Sequence, residues 1–411
     1  MSAPGTESPA RSVGAEVTQT RASVLFLTTV LPGARRMGSE VASQAVIDAL
    51  NACGATVDVL GYVRTGENYA LRPGETCIGM RHIETKSARG RALVWLAGSF
   101  LSGLPYSAAK YRSAEYVKAV RDKLQSGRYD LAVLDHAQLG WLVPELRDRI
   151  PIVAMAHNVE AEMYRQLSTV AASFAGRMIY RREASAIARL ERRFVDAAAM
   201  VWALTEHDAG VFRRIKSTPG EVSVIGLPAA ASHTAPLVSV KEFDIGLIGS
   251  WSWKANAEAL EWFFGEVLPL LPADCTIHIA GGGADAFGGR FPNVQVRGFV
   301  PSAQDFLAAA RVVAIPTLSG GGIQIKTLDA IASGSRIVAT PVAVRGIDDA
   351  PASVVVASAA ADFAQALMAA VGTAGSDVSV SGRQWARERE LKFTRDIAGW
   401  TRRLATRTAA R

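Results

Sequence analysis

Cysteine is scarce: Cys53, Cys77 and Cys275 are three in 411 residues, an odd number with wide spacing. That pattern excludes a disulfide framework and a thiolate metal spacing, and it fits a reducing compartment. An H-E-x-x-H pair, a paired C-x-x-C and a G-x-S-x-G elbow are also missing, so zinc-peptidase, zinc-ribbon and serine-hydrolase chemistry have no support. No apolar run is long enough to cross a bilayer. The richest early segment, ALVWLAGSFLSGL at residues 92–104, falls short of about 20 residues. It lies between Arg89, Arg91, Lys110 and Arg112 and reads as a buried helix in preference to an interfacial one. Residues 1–21 lack the apolar core of a signal peptide and, rich in Ser, Thr, Ala, Gly and Pro, read as a disordered tail. Blocks of like charge are absent too. The net charge of +7 and pI of 9.4 come from dispersed Lys and Arg, which suits acidic ligands or an anionic membrane surface. No nucleic-acid partner is expected.

What is present is length and alternation. At 411 residues the chain exceeds one ordinary core, and two domains are expected. β-type runs such as SVLFLTTV, DLAVLDH and IPIVAMAHN alternate with helical ones, a helix over QLGWLVPELRD among them, in both halves, the signature of parallel sheets with crossover helices. The expected fold class is α/β, with two Rossmann-like doubly wound domains facing across a cleft. The first domain is placed at residues 22–218, with 384–411 packing back on it. The second is placed at 219–383, after the turn-rich KSTPGE of residues 216–221. Ligands of such sheets sit beyond the carboxyl ends of the strands, where the loops bearing His157, Gly249 and Gly320–Gly322 fall.

The segment IPTLSGGGIQIKTLDAIASGSRIVAT, residues 315–340, carries the sharpest chemical signal. Three glycines precede an amphipathic helix, and Lys326 falls in its first turn, where exposed N–H groups and the helix dipole disfavour a cation. A bound anion removes the conflict: glycines permit close backbone approach, and the helix N-terminus donates to a diphosphate that Lys326 neutralises. Asp329, one turn on, is placed to accept from ribose hydroxyls. The competing reading is a tight turn and a solvated lysine.

GSWSWKANAEALEWFFGEVLPLLP, VRGFVP, FLAAARVVAIPTLSGGGIQIKTLDAIASGSRIVAT and Gly346, with AHNVEAEMYRQ, a long basic helix and ALTEHD in the first half, resemble family 4 glycosyltransferases with the GT-B fold. The likeness is to bacterial exopolysaccharide types and covers most of residues 22–345. It implies a retaining hexosyltransferase of EC 2.4 type that uses a nucleotide-diphosphate sugar, with no cofactor and no metal. The missing D-x-D tripeptide agrees in disfavouring the metal-dependent alternative fold. It also implies a saccharide or lipid-linked saccharide acceptor, a role in surface polysaccharide biosynthesis, and a cytoplasmic protein with peripheral contact at the inner face of an anionic membrane.

By the same resemblance, Gly320, Gly321, Gly322, Ile323, Asp329 and Ser250 bind the donor, and His157, Lys326 and Lys254 act in transfer. Asp329 stands at the second acid of the family's Glu-x7-Glu pattern, while Gly321 replaces the first and Ser250 stands where many relatives have Arg. Lys254 reads equally as a phosphate-side cation and as an exposed cap neighbour, and Trp251 and Trp253 equally as cleft lining and as core. On the acceptor side are Gly33 and Gly38 in the first strand-to-helix loop, Asn158 and Glu160 after His157, and His136 at another strand end. The alternatives are a donor-binding scaffold with little turnover and a nucleotide-sugar epimerase of the same fold.

Overall fold

A computed structural model of the chain describes residues 22–82, 98–99, 102–229, 241–373 and 377–409. The expected N-terminal tail and most of the 92–104 segment lie outside the described residues. Among the described residues there are two sheets, and every strand pairing in both is parallel. The first sheet has the order β3-β2-β1-β4-β5-β6-β7. Its strands are β1 (Ser23–Val30), β2 (Thr56–Arg64), β3 (Glu75–Arg81), β4 (Leu131–Asp135), β5 (Ile152–Ala156), β6 (Met200–Ala203) and β7 (Glu221–Val224). The second has the order β10-β9-β8-β11-β12-β13, built from β8 (Phe243–Ile248), β9 (Ile277–Ala280), β10 (Val294–Gly298), β11 (Ala310–Ile315), β12 (Arg336–Ala339) and β13 (Val354–Val356).

The helices used below are α1 (Gly38–Ala52), α2 (Ala114–Ser126), α3 (Glu160–Val170), α4 (Phe174–Ala197), α5 (Glu206–Ile215), α6 (Lys254–Trp262), α7 (Ala303–Ala309), α8 (Ile325–Ala332), α9 (Ala360–Gly372) and α10 (Asp377–Ala409). Helices cover both faces of each sheet, so the central strands are apolar on both sides. Along β1, Val24 and Phe26 enter one core cluster while Leu25 and Leu27 enter another. The cluster of Val24 and Phe26 is continuous with Leu328 and Ile331 of α8 and with Trp385, Phe393 and Ile397 of α10, so it joins the two domains. Arg389 on α10 reinforces the join: Nε donates to the Leu227 carbonyl at 2.7 Å and Nη1 to Asp349 at 3.1 Å. Cys53 at the end of α1 contacts the Thr394 carbonyl, so α10 packs on the first domain as well as on α8.

Three sequence expectations differ from the structure. The boundary at 218/219 falls too early, because Glu221–Val224 pairs with β6 as an edge strand of the first sheet. KSTPGE is a tied loop, with Lys216 Nζ donating to the Val195 and Ala198 carbonyls at 2.6 and 2.8 Å and Ser217 held by Asp196. The chain crosses between Val224 and Phe243. The helix expected over QLGWLVPELRD is a 3-10 stretch, Ala137–Leu142, followed by a single α turn, Val143–Leu146; Pro144, which lacks the N–H that a continuous helix needs, stands at that junction.

Candidate active site in the interdomain cleft

Both sheets place their switch points, β1/β4 and β8/β11, toward the cleft, where ligands of open α/β sheets bind. On the first-domain side β4 ends in Asp135, which is fully buried. A buried carboxylate must be paired and hydrogen-bonded. Thr28 Oγ1 and Ser43 Oγ donate to Oδ2 at 2.8 and 2.7 Å, and His157 Nε2 lies 2.7 Å from Oδ1. His136 Nδ1 sits 3.2 Å from Oδ1 but is not aligned for a hydrogen bond. Its backbone has φ 77, a left-handed conformation uncommon outside glycine, and this turns its ring onto that of His157 with 3.9 Å between centroids and 15° between planes.

The electrostatics of the trio follow from burial and charge. Burial favours protonated Asp135, yet the two histidines outweigh it and hold the carboxyl well below its usual range. Burial also opposes a charged His136, and Asp135 overrides it upward. His157 is pushed down by burial and then by the charge of His136. An ionised Asp135 only accepts, so the His157 proton resides on Nε2 and Nδ1 is the ring's remaining lone pair.

The loop after His157 is clamped from below. Glu191 on α4 accepts from the backbone N–H of Glu160 at 2.6 Å and of Ala161 at 3.2 Å, capping α3. Burial and then Glu160 push the Glu191 carboxyl up to about 8. Glu160 is itself buried and raised by that burial, against the pull of Gln138 and His136.

The second domain brings its glycine loop directly onto this strand end. Gly322 has φ 66, and a Cβ there would lie 2.7 Å from the His157 carbonyl oxygen. Gly321 is exposed, and a Cβ there would stand 3.4 Å from Asn158 Cβ. Arg345 Nη1 holds the Gly320 carbonyl at 2.8 Å. Beyond the buried Ile323, α8 opens at Gln324 without a side-chain cap, leaving its first N–H groups available to an anion. Lys326 Nζ donates to Asn256 Oδ1 at 3.1 Å, and Asn256 Nδ2 donates to the Ser250 carbonyl at 2.9 Å. Burial pushes Lys326 down to about 8, with no carboxylate contributing. Asp329 follows one turn later on the same helix. Gly38 opens α1 against Ile325, 3.4 Å from where its Cβ would stand.

Close approaches thus join His136, His157, Asn158 and Gly321–Gly322 at the cleft, with Glu160 beside His136 and Gly38 against Ile325, while Gly320 precedes this contact and Ile323, Lys326 and Asp329 follow it along the chain. Lys254 is exposed and pairs with Glu258 at 3.4 Å, while Asn256, two residues on along the same helix, makes the contact to Lys326. Ser250 supplies a carbonyl to Asn256, while its exposed hydroxyl lies 3.3 Å from that of Ser252. Gly33 is covered by Tyr69, whose Oη accepts from its N–H at 3.1 Å, and by Arg72, which donates to its carbonyl at 2.7 Å. Trp251 is core, donating to the Ala280 carbonyl at 2.8 Å, whereas Trp253 is exposed. The sequence reading missed Asp135, Thr28, Ser43 and Asn256. Only Asp135 left a signal, an acid closing an apolar strand beside a histidine. Asp135, His136 and His157 also bring candidate metal-ligand atoms within 4.8 Å of one another, although the carboxylate is already committed to three hydrogen bonds.

Comparison with known proteins agrees with this architecture. Residues 242–372 match the family described as Glycosyl transferases group 1. No curated protein matches the chain in sequence. Among solved structures, sucrose-phosphate synthase from Thermosynechococcus elongatus is similar at 15% identity and TM-score 0.58, over 95% of this chain and 98% of that one. HepE from Anabaena, in complex with UDP-glucose, is similar at 13% identity and TM-score 0.58, over 92% and 99%. A trehalose-6-phosphate synthase, studied for glycosyltransfer with retention, is similar at 12% identity and TM-score 0.54, over 94% and 99%. The chain has the GT-B fold of glycosyltransferases, and its match to the group 1 family falls on the second domain.

Proposed function

We propose that the protein is a retaining hexosyltransferase that takes its sugar from a nucleotide diphosphate and passes it to a saccharide or lipid-linked saccharide in surface polysaccharide synthesis. One observation carries the reading. Lys326 is a half-buried cation with no carboxylate partner among the described residues, at an uncapped helix start, and it follows a glycine loop that meets the His157 strand end across the cleft from the Asp135–His157 pair. That geometry suits a diphosphate on the second domain with its sugar pointing at the first. HepE, similar in fold, is seen with UDP-glucose, and the trehalose-6-phosphate synthase is described as transferring with retention.

In this reading the diphosphate accepts from the first N–H groups of α8 and from Lys326, which offset the charge that grows as the glycosidic C–O bond breaks. Asp329 addresses the ribose. The acceptor oxygen attacks the face that the diphosphate leaves, and a departing phosphate oxygen takes its proton, so no protein base is required. His157, fixed by Asp135, offers Nδ1 to a sugar hydroxyl and holds the ring in position. Gly321 supplies no carboxylate, so sugar contacts fall to His157, Asn158 and loop N–H groups. The binding scheme draws its cation from Lys326 and needs no metal, and the enzyme works at the inner face of an anionic membrane.

Thermal denaturation with UDP, GDP, dTDP and ADP, with and without Mg²⁺, tests it, because a ligand specific for the folded state raises the midpoint. One nucleotide is expected to stabilise the wild type without metal, and Lys326→Ala to abolish the response. Equal stabilisation of both proteins, or none by any nucleotide, would sink the donor site. Stabilisation with neither transfer nor donor hydrolysis would leave a donor-binding protein.

A further inference from the structure

The hairpin of α3 and α4 ends in apolar surface that the rest of the described molecule leaves open. Val170, closing α3, is 70% exposed, and on α4 Phe174 is 71%, Met178 49% and Ile179 50% exposed. Single exposed apolar residues are ordinary, but four within one hairpin tip form a patch. Phe174 and Met178 lie one turn apart on the same helix face. The tip is well built: Ser173 Oγ accepts from Gly176 N–H at 3.0 Å, Arg177 Nη1 donates to the Ala171 carbonyl at 3.1 Å, and the rings of Tyr164 and Tyr180 stand 6.5 Å apart behind it.

Charge identifies the occupant. From Met163 to Arg182 the chain carries Arg165, Arg177, Arg181 and Arg182 and no Asp or Glu, and Arg165 and Arg181 are exposed. A second copy docked on this tip would set arginines against arginines across the two-fold axis, whereas an anionic lipid surface satisfies both the apolar side chains and the cations. Arg182 also donates to Ser99 through Nη1 at 2.8 Å (Oγ) and Nη2 at 3.0 Å (carbonyl). The hairpin is thereby tied to Ser99, which falls in the apolar stretch that the sequence brackets with basic residues.

We infer that the α3–α4 tip docks on an anionic lipid surface, with Val170, Phe174, Met178 and Ile179 entering the headgroup region and the exposed Arg165 and Arg181 meeting lipid phosphates. This rests on the membrane part of the proposed function and names the surface that performs it. The eleven residues of α3 span about 16 Å, so the tip stands one helix length from the His157 loop, within reach of a lipid-linked acceptor.

Co-sedimentation of the full chain with vesicles of phosphatidylcholine, with and without a quarter phosphatidylglycerol, tests the assignment. The wild type is expected on the anionic vesicles only, and to be released by high salt. Phe174→Asp with Met178→Asp should lower binding at least tenfold, and Arg165→Ala or Arg181→Ala about fivefold each. Leu270→Asp, at an exposed apolar site of the second domain, should bind as the wild type does. An unchanged circular dichroism spectrum and nucleotide response would show that the variants are folded. Undiminished binding by the Phe174 and Met178 double variant overturns the assignment while leaving membrane attachment intact. Failure of the wild type to bind overturns both, and a wild-type dimer abolished by the double variant gives the patch to a second copy instead. The donor reading is tested separately by the nucleotide response.

Discussion

The two walls of the cleft solve opposite problems. The first domain buries a carboxylate and surrounds it with donors from β1, α1 and the loop after β5, leaving a polar network whose members are mostly satisfied by one another. The second domain half-buries a cation whose hydrogen bond goes to an amide, and it leaves a helix start uncapped. A network complete in itself orders what is around it; an incomplete one is stabilised by what arrives. The first wall therefore positions and the second binds, and variants that damage each should fail in different ways.

The largest expected effect is on the first wall. Asp135→Ala removes the acceptor shared by Thr28, Ser43 and His157, and breaking a buried charged network of this kind costs about 3–5 kcal/mol. The urea midpoint of the first domain should fall accordingly. A loss under about 1 kcal/mol, the scale of an ordinary hydrogen bond, would deny the network its ordering role. The pH dependence has a definite sign: the folded pKa of Asp135 lies below its unfolded value, so its contribution is full above about 4 and is lost as pH falls toward the folded value.

On the second wall the effect should be on ligand and not on fold. Lys326→Ala forfeits a charge-assisted hydrogen bond of about 1.5–3 kcal/mol, which is about 10- to 100-fold in nucleotide affinity. Because burial lowers Lys326 to about 8, wild-type affinity should decline as pH rises through that value while the variant's profile stays flat there. Unliganded stability runs the other way: the unfolded chain holds the lysine proton more tightly, so stability rises with pH from about 8 toward the unfolded pKa of about 10.4. Titration calorimetry at pH 7 and pH 9 checks the binding half, and a pH-independent wild-type affinity would remove Lys326 from the phosphate site.

The two walls also differed in how much of them the sequence disclosed. The α/β alternation, the cleft and the loop from Gly320 to Asp329 were legible, because glycines, helix periodicity and a misplaced lysine are local signals. The Asp135 network was not, since Thr28 lies 107 positions away and Ser43 92, and nothing local links a hydroxyl to so distant a carboxylate. β3 and β7 escaped notice for a different reason. They are edge strands and only partly buried, so they lack the apolar run that marks the central strands. Asn256 was hidden by its neighbour: Lys254 carries the charge that attracts attention, while the amide two residues on makes the contact.

That last pair gives the smallest and sharpest test. Lys254 is exposed beside Glu258 at i+4, a type of pair worth about 0–1 kcal/mol. Lys254→Ala should change nucleotide affinity by less than about threefold. Asn256→Ala leaves Lys326 Nζ without its hydrogen-bond partner and frees the loop at Ser250, so it should cost more affinity although no charge is removed. The reverse order, with the charged residue mattering more than the amide, would mean that the loop after β8 closes onto the diphosphate when nucleotide binds, carrying Lys254 to the place that Asn256 takes beside Lys326 in this structure.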